Sequence, residues 1–226
     1  TFVAGHSLGE YSALAAAGAF SVADAARLLK RRGRAMQRAV PVGVGAMAAL
    51  LGLDIDQARA VAAAAAEGEV CAAANDNAPG QVVVSGHKAA VERAVALAAD
   101  RGSKRAVMLP VSAPFHCALM APAASVMKEA LAEVTIRPPA VPLVANVSAA
   151  AVTDPQEIRR LLVEQVTGAV RWRESVVHLR DQGVDALVEI GAGKVLSGLV
   201  RRIDRSMTTA AVGTPAEIDA FAESLN

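Results

Sequence analysis

The chain has 226 residues, enough for one large domain or two small ones. Hydrophobic residues make up 54% of it, so a substantial core can form, whereas a net charge of +1 and only 3% aromatic residues argue against a dedicated nucleic-acid-binding protein. The sequence contains no uncharged apolar run long enough to span a membrane, and its two cysteines lack the spacing of metal ligands. We expect no signal peptide. We therefore expect a cytoplasmic protein.

The first predicted element is a strand–turn–helix unit. An apolar strand ends near Ala4, and residues 7–19 are rich in Ala and Leu, which favours a helix. Between them lies Gly5-x-Ser7-x-Gly9, the pattern of a nucleophile elbow, in which a strained turn projects a serine. We expect both glycines to be required because a side chain at either position would collide with the turn. The five-residue pattern also arises by chance, so the prediction that Ser7 is a nucleophile depends on its context.

The second predicted helix runs from about residue 23 to 40. Residues 21–24 can cap its start, and Pro41 ends it. One face is apolar, and the other carries a run of basic residues of the kind that usually faces water. This basic run consists of Arg27, Lys30, Arg31, Arg32, Arg34 and Arg38.

Residues 43–111 have a pattern of their own. The predicted elements are a strand at 46–53, a helix at 56–67, strands at 70–75 and 81–85, a helix at 87–101 and a strand at 104–111. This βαββαβ order is the split-βαβ, or ferredoxin-like, pattern, and it predicts a separate small subdomain over residues 43–111.

From residue 112 onward, helices and strands alternate again. The predicted elements are a loop at 112–117, a helix at 118–133, an extended segment at 138–147, helices at 155–166 and 172–182, a buried strand at 186–190 and a helix from about 194. Alternation of this kind predicts an α/β fold with a parallel sheet. We expect residues 1–42 and 112–226 to form one large subdomain.

A serine nucleophile needs a base within hydrogen-bond reach. His6 adjoins Ser7, but neighbours across an elbow point apart, so a structural role is expected. His87 and His178 lie at or within helices, where capping, packing or surface positions are expected. His116 lies in the loop where the small subdomain returns to the large one, and such junctions often hold sites. Spacing alone leaves the role of His116 open.

Five motifs occur in one order along the chain. They are Gly5-His6-Ser7-Leu8-Gly9-Glu10-Tyr11-Ser12, Arg32-Gly33 with Met36-Gln37, Ala78-Pro79-Gly80-Gln81-Val82-Val83, Val111-Ser112-x-x-Phe115-His116-Cys117-x-Leu119-Met120, and Glu189-x-Gly191-x-Gly193-Lys194-Val195-Leu196. Together they resemble the bacterial malonyl-CoA:acyl-carrier-protein transacylases of fatty acid synthesis, over essentially the whole chain. This resemblance implies an α/β-hydrolase-like large subdomain with an inserted ferredoxin-like small one.

The resemblance also implies roles at the site. Ser7 is implied as the nucleophile, His116 as its base, and the main-chain carbonyl of Gln165 as the group that orients the histidine. Arg32 is implied to grip the free carboxylate of the substrate, for which a planar, permanently charged guanidinium is suited. The further substrate-binding residues are Leu8, through its oxyanion-hole N–H, Asn77 and Gln81, along the cleft, and Phe115, a wall that leaves little room for a methyl branch.

The implied reaction is a two-step acyl transfer. Ser7 takes the malonyl group from malonyl-CoA, and the phosphopantetheine thiol of an acyl carrier protein then takes it from Ser7. The resemblance implies no metal and no other cofactor. We expect a monomer that binds neither nucleic acid nor membrane.

Two features depart from the family pattern. The family begins with a strand and a Pro-Gly-Gln-Gly loop whose glutamine completes the oxyanion hole, and no such segment is found in this sequence. We therefore expect the chain to lack an N-terminal portion and to be poorly folded or inactive by itself. Ala192 stands where the family usually has proline.

Three alternatives stay open. The chain could be the acyltransferase domain of a polyketide synthase, against which the lack of a linker argues. It could be a serine hydrolase, but a monoacyl ester offers Arg32 no anion. It could also be a non-catalytic fragment that binds carrier protein, and the expected loss of the N-terminal segment keeps that alternative open.

Overall fold

The computed structural model describes residues 1–224 and confirms the predicted α/β class. Residues 225 and 226, the end of the predicted large subdomain, lie outside the described part. The strands are β1 (Val3–Ala4), β2 (Gly45–Leu51), β3 (Cys71–Ala78), β4 (Gln81–His87), β5 (Arg105–Met108), β6 (Leu143–Val144), β7 (Ala151–Val152), β8 (Ala186–Ile190) and β9 (Thr208–Val212). The helices are α1 (Gly9–Ala16), α2 (Val22–Arg38), α3 (Ile55–Ala66), α4 (Lys88–Asp100), α5 (Ala121–Ala132), α6 (Pro155–Glu164), α7 (Trp172–Asp181), α8 (Val195–Ile203) and α9 (Pro215–Glu223), with a 3-10 turn at Ala118–Met120.

A small sheet positions the elbow. Its central strand, β6, pairs in parallel with β1 and antiparallel with β7. Because β1 and β6 are parallel, the loops that follow them leave from the same edge, where ligands bind in α/β sheets. Only Leu143 and Val144 of the predicted extended segment at 138–147 form a strand, since Pro138, Pro139 and Pro142 have no N–H to donate to a ladder.

Helices α1, α2, α5 and α6 pack together beside this sheet. Their apolar faces meet in one core, whose fully buried side chains include Tyr11, Leu14, Met127, Leu131, Ile158 and Leu162. Helix α2 begins where the sequence predicts, because the Ser21 hydroxyl accepts the Asp24 N–H at 3.0 Å. The predicted helix at 118–133 instead begins as the 3-10 turn and continues as α5, with Pro122 in its first turn.

The middle of the chain forms an antiparallel sheet in the order β3-β4-β2-β5. Helices α3 and α4 pack against it around a core of their own, built from side chains such as Leu50, Val61, Val84 and Val91. Helix α3 starts with a capping box between Asp54 and Gln57. This sheet contacts the site region through β3, because the Asp76 N–H donates to the carbonyl of Val170 at 2.9 Å.

The C-terminal part differs most from expectation. Strand β8 was predicted to be buried, and this prediction is wrong: Ile190 is 79% exposed and Val188 39% exposed. Among the described residues β8 pairs only with β9, and its alternate side chains face outward. Strand β9 and helix α9 were not predicted at all. None of the helices within residues 1–224 is long and apolar enough to cross a membrane.

Candidate active site

The elbow has the strained backbone expected of a nucleophile turn. Ser7 has φ of 53°, in the left-handed region that residues with a side chain rarely adopt. A Cβ on Gly5 would lie 2.0 Å from the carbonyl carbon of Gly9, so Gly5 admits no side chain. The same expectation is wrong for Gly9, where an added Cβ would meet no atom within 4 Å. Steric exclusion of a side chain therefore explains Gly5 but not Gly9.

Asn146 clamps this turn from the loop after β6. Its side-chain oxygen accepts the Ser7 N–H at 2.7 Å, and its side-chain nitrogen donates to the carbonyl of Gly5 at 2.7 Å. The residue is fully buried. The amide thus satisfies one donor and one acceptor that the turn would otherwise leave buried without partners.

His116 lies within hydrogen-bond distance of Ser7. Its Nε2 is 2.8 Å from the Ser7 hydroxyl oxygen, and its Nδ1 lies 2.9 Å from the carbonyl oxygen of Gln165 and 3.2 Å from that of Gly168. Both carbonyls can only accept, so Nδ1 carries the proton and Nε2 offers a lone pair to the serine. His116 also has a positive φ, 59°, which places both members of the pair on strained backbone.

The surroundings keep His116 neutral. Burial, followed by the positive charge of Arg32, lowers its pKa to about 4, although the hydrogen bonds to Gln165 and Gly168 act in the opposite direction. At neutral pH the imidazole is therefore uncharged, with its single N–H on Nδ1. A neutral imidazole with its lone pair on the serine hydroxyl is the form that a general base requires.

Arg32 points inward rather than toward water. The basic run of α2 was expected to face water, and for Arg32 this expectation is wrong, because only 6% of the residue is exposed. Its Nη2 donates to the Ser7 hydroxyl at 3.0 Å and to the side-chain oxygen of Gln165 at 2.9 Å. Its Nε has no partner among the described residues. A charged fork with a free donor beside a serine is suited to an anionic group of a bound ligand.

Gln165 joins these parts through its side chain as well as its carbonyl. The amide nitrogen donates to the main-chain oxygen of Ser7 at 2.9 Å and also to the carboxylate of Glu10. The other Glu10 oxygen accepts the Asn146 N–H at 2.8 Å. Burial raises the pKa of Glu10 to about 7, against the lowering effect of these hydrogen bonds and of Arg32. The residues around Ser7 thus form one connected polar network.

Comparison with known proteins identifies the family. A model of the acyl transferase domain matches residues 1–217. The malonyl CoA-acyl carrier protein transacylase of Escherichia coli strain K12 is 50% identical over 221 residues, which are 98% of this chain and 72% of that protein. That of Bacillus subtilis is 47% identical over 225 residues, 99% of this chain and 71% of that protein. This chain belongs to the malonyl CoA-acyl carrier protein transacylase family. The family predicted from the five motifs is confirmed.

Solved structures agree with the sequence relatives of this transacylase. The acyl-carrier-protein-S-malonyltransferase of Bartonella henselae is 56% identical with a TM-score of 0.96, covering 100% of this chain and 72% of that one. A malonyl-transacylase solved in complex with a type II PKS acyl-carrier protein is 44% identical with a TM-score of 0.95, covering 98% of this chain and 72% of that one.

The remaining predicted substrate-binding residues of the transacylase lie in different surroundings. Leu8 is the N-cap residue directly before α1, and no described residue accepts its N–H. Asn77 holds His6, with 2.8 Å between its side-chain oxygen and the imidazole Nε2. Phe115 packs beside His116 against the apolar core. Gln81 accepts a hydrogen bond from Arg202 at 2.6 Å, and the described part of the chain shows no hydrogen bond from it to the Ser7 pair.

The other histidines make no hydrogen bond to the Ser7 hydroxyl among the described residues. His6 contacts the ring of Trp172, with the ring centroids 5.8 Å apart. The Nδ1 of His87 accepts the Val70 N–H at 2.9 Å, and His178 meets Phe2 edge-on. Among the four histidines of the chain, all within the described residues, only His116 hydrogen-bonds the Ser7 hydroxyl.

Three contributions to the site were not predicted: Glu10, Asn146 and the side chain of Gln165. Two of them had a usable signal. Glu10 is the charged residue of an otherwise uncharged helix, and Asn146 directly follows an apolar segment, where the end of a parallel strand places polar groups at the site edge. Gln165 lies at the end of an amphipathic helix and gave no signal beyond the resemblance.

Proposed function

We propose that this chain transfers a malonyl group from malonyl-CoA to the phosphopantetheine thiol of an acyl carrier protein through a malonyl-serine intermediate, supplying fatty acid synthesis. One observation carries the proposal: the Ser7 hydroxyl lies 2.8 Å from the His116 imidazole and 3.0 Å from the Arg32 guanidinium. A nucleophile, its base and a partner for a carboxylate thus meet at one oxygen. Membership of the transacylase family supports the same reaction.

Acylation begins at the serine. His116 takes the hydroxyl proton on Nε2 while the Ser7 oxygen attacks the thioester carbonyl carbon of malonyl-CoA. The Leu8 N–H, at the start of α1, stabilises the negative charge that develops on the carbonyl oxygen. The carbon–sulfur bond then breaks, and the CoA thiolate leaves with the proton from His116. The carbonyl of Gln165 keeps the imidazole oriented throughout, in the position that a carboxylate occupies in other triads.

Transfer repeats these steps with a different thiol. His116 takes the proton of the phosphopantetheine thiol, whose sulfur attacks the malonyl-Ser7 ester. The ester bond breaks, the malonyl group leaves on the carrier protein, and the proton returns to the Ser7 oxygen.

Arg32 and Phe115 account for acyl selectivity. A malonyl carboxylate pairs with the buried guanidinium, whereas an acetyl methyl would leave that charge unpaired and so penalise the substrate. Phe115 narrows the space beside His116, which discriminates modestly against the extra methyl of a methylmalonyl group. Asn77 and Gln81 complete the cleft in this proposal.

The finer architecture is part of the same proposal. Residues 1–42 and 112–226 form an α/β-hydrolase-like large subdomain, and residues 43–111 form a ferredoxin-like insertion. The order β3-β4-β2-β5, two helices on the sheet and a separate apolar core support this division.

A second acceptor remains a specific alternative. The transacylase solved with a type II PKS acyl-carrier protein is 44% identical to this chain, so a polyketide carrier protein is a reasonable competing acceptor. Comparing transfer rates to fatty acid and polyketide carrier proteins decides between them.

The intermediate is tested by mass. The full-length parent protein mixed with malonyl-CoA is expected to gain one malonyl mass on Ser7, and His116→Ala is expected to slow this reaction by about 10²–10⁴-fold with the fold intact. The same adduct at the same rate in Ser7→Ala would remove Ser7 from the mechanism. Rapid loss of the adduct to water without carrier protein would indicate a hydrolase instead.

Selectivity is tested by competing CoA thioesters. Arg32→Ala is expected to lower the malonyl-to-acetyl ratio of kcat/KM by about 100-fold, because two charge-assisted hydrogen bonds are lost. Arg34→Ala is the matched control, since Arg34 lies exposed on the same helix. An unchanged ratio in Arg32→Ala would show that Arg32 does not bind the carboxylate.

A further inference from the structure

Glu10 is a buried carboxylate that the transfer steps above do not use. It is 2% exposed and lies in the first turn of α1, three residues after Ser7. Keeping a carboxylate away from water costs free energy unless hydrogen bonds satisfy it, and burial accordingly raises its pKa to about 7. An apolar residue at this position would avoid the cost of burying a charge, so the role of Glu10 must depend on its hydrogen bonds.

Those hydrogen bonds lead from Glu10 to Arg32. One oxygen accepts the Asn146 N–H at 2.8 Å, and the other accepts from the side-chain amide of Gln165. The same amide nitrogen donates to the Ser7 carbonyl at 2.9 Å, and the amide oxygen accepts from Arg32 at 2.9 Å. Glu10 is therefore connected to the guanidinium through a single buried side chain.

The donors and acceptors in this chain have only one consistent arrangement. The Ser7 carbonyl can only accept, and so can Glu10 in its ionised form, so the NH₂ group of Gln165 must face Ser7 and the ionised Glu10. The amide oxygen is then left for Arg32, whose nitrogens can only donate. If the amide turned over, its NH₂ group would face the guanidinium N–H groups and the hydrogen bond to Arg32 would be lost.

We propose that Glu10 is a positioning residue that sets the malonyl selectivity of the site by fixing the Gln165 amide, which holds Arg32 beside Ser7. The proposal rests on the proposed role of Arg32 in binding the malonyl carboxylate. The hydrogen bonds of Arg32 to described residues are made by Nη2, its Nε has no hydrogen-bond partner among those residues, and its guanidinium carbon lies 5.9 Å from the centroid of the Tyr11 ring. A guanidinium anchored at one nitrogen keeps its other donors aimed in one direction, which orients it for a carboxylate.

The test is a double-mutant cycle on acyl selectivity. Glu10→Gln keeps the shape but adds an NH₂ group, which opposes either the Asn146 N–H or the Gln165 NH₂ group. Gln165→Leu removes the amide and keeps the carbonyl that orients His116. Each single variant is expected to lower the malonyl-to-acetyl ratio of kcat/KM by about 10-fold, mainly through a higher KM for malonyl-CoA. The double variant is expected to show the same loss of about 10-fold rather than about 100-fold, because both changes break one pathway.

The outcomes separate the inference from the proposed function. If Arg32→Ala lowers the ratio but Glu10→Gln lowers malonyl and acetyl transfer equally, Glu10 is only structural and the inference is overturned. Additive effects in the double variant overturn it as well. If Arg32→Ala leaves the malonyl-to-acetyl ratio unchanged, Arg32 does not recognise the carboxylate, and the inference about Glu10 is overturned too. The malonyl adduct on Ser7 then still tests the proposed transfer reaction independently. Should Glu10→Gln not fold, Gln165→Leu decides alone: an unchanged ratio in that variant refutes the proposal.

Discussion

Asn146 offers the sharpest test of how the elbow is held. Replacing it by Ala removes the amide that accepts the Ser7 N–H at 2.7 Å and donates to the Gly5 carbonyl at 2.7 Å. The hydrogen bond from the main-chain N–H of residue 146 to Glu10 is unaffected by this change. Because the residue is fully buried, water does not replace the lost partners without rearrangement of the site.

The expected cost follows from those two groups. A buried donor or acceptor left without a partner costs about 1–3 kcal/mol, so two cost about 2–6 kcal/mol of unfolding free energy. The cost falls on the turn that holds Ser7 at a φ of 53°, so relief of this strain is expected to move the hydroxyl away from His116. We therefore expect a slower formation of the acyl-enzyme in addition to lower stability.

The assay is urea unfolding of the protein together with the rate of malonyl-Ser7 formation. The matched control is Asn77→Ala, which removes one hydrogen bond from a half-buried asparagine and is expected to cost about 0.5–1.5 kcal/mol. A cost for Asn146→Ala no larger than that of Asn77→Ala would refute the argument. An unchanged acylation rate would show that the turn keeps its shape without the clamp.

Two further predictions follow from the same site. Folding lowers the pKa of His116 from 6.5 to about 4 and raises that of Glu10 from 4.5 to about 7. As the pH falls from 6.5 to 4.5, the contribution of His116 to the free energy of unfolding therefore decreases, whereas that of Glu10 increases. The two changes in the free energy of unfolding nearly cancel. Glu10→Gln is expected to leave only the His116 effect, so that the free energy of unfolding falls by about 1.4 kcal/mol for each pH unit between pH 6.5 and 4.5. An unfolding free energy that does not change with pH in this variant would contradict the lowered pKa of His116. Gly5→Ala is expected to abolish acylation and destabilise the fold, because the new Cβ would lie 2.0 Å from the backbone of Gly9. Gly9→Ala is expected to show near-normal stability in thermal unfolding, because its new Cβ would meet no atom within 4 Å. Equal effects of the two substitutions would show that the clash at Gly5 does not matter.

Local pattern and motif order predicted much of this site. The elbow around Ser7 is a short-range feature, since a strand, a tight turn and a helix follow from neighbouring residues. The partnership of Ser7 with His116, 109 positions away, came only from the ordered motifs, and the 2.8 Å contact is consistent with it. The α/β class followed from the alternation of helices and strands.

The sequence did not predict which polar side chains are buried. Arg32 lies in a helix with five other basic residues, and periodicity alone assigned all six to the solvated face. Its inward direction is decided by how α2 packs against α1 and α5. Strand β8 shows the opposite error: its apolar run predicts burial, but exposure depends on which neighbours cover it.

The sequence by itself determined the fold class, the family and the turn at Ser7, and it predicts Ser7 as nucleophile and His116 as base, because these inferences depend on short-range pattern and on motifs in a fixed order. Only the tertiary structure decided that Glu10, Asn146 and the Gln165 side chain connect the elbow to Arg32. Each of these contacts joins residues more than 100 positions apart through donors and acceptors, and the pairing of such groups depends on their directions in space, which hydrophobic periodicity does not encode.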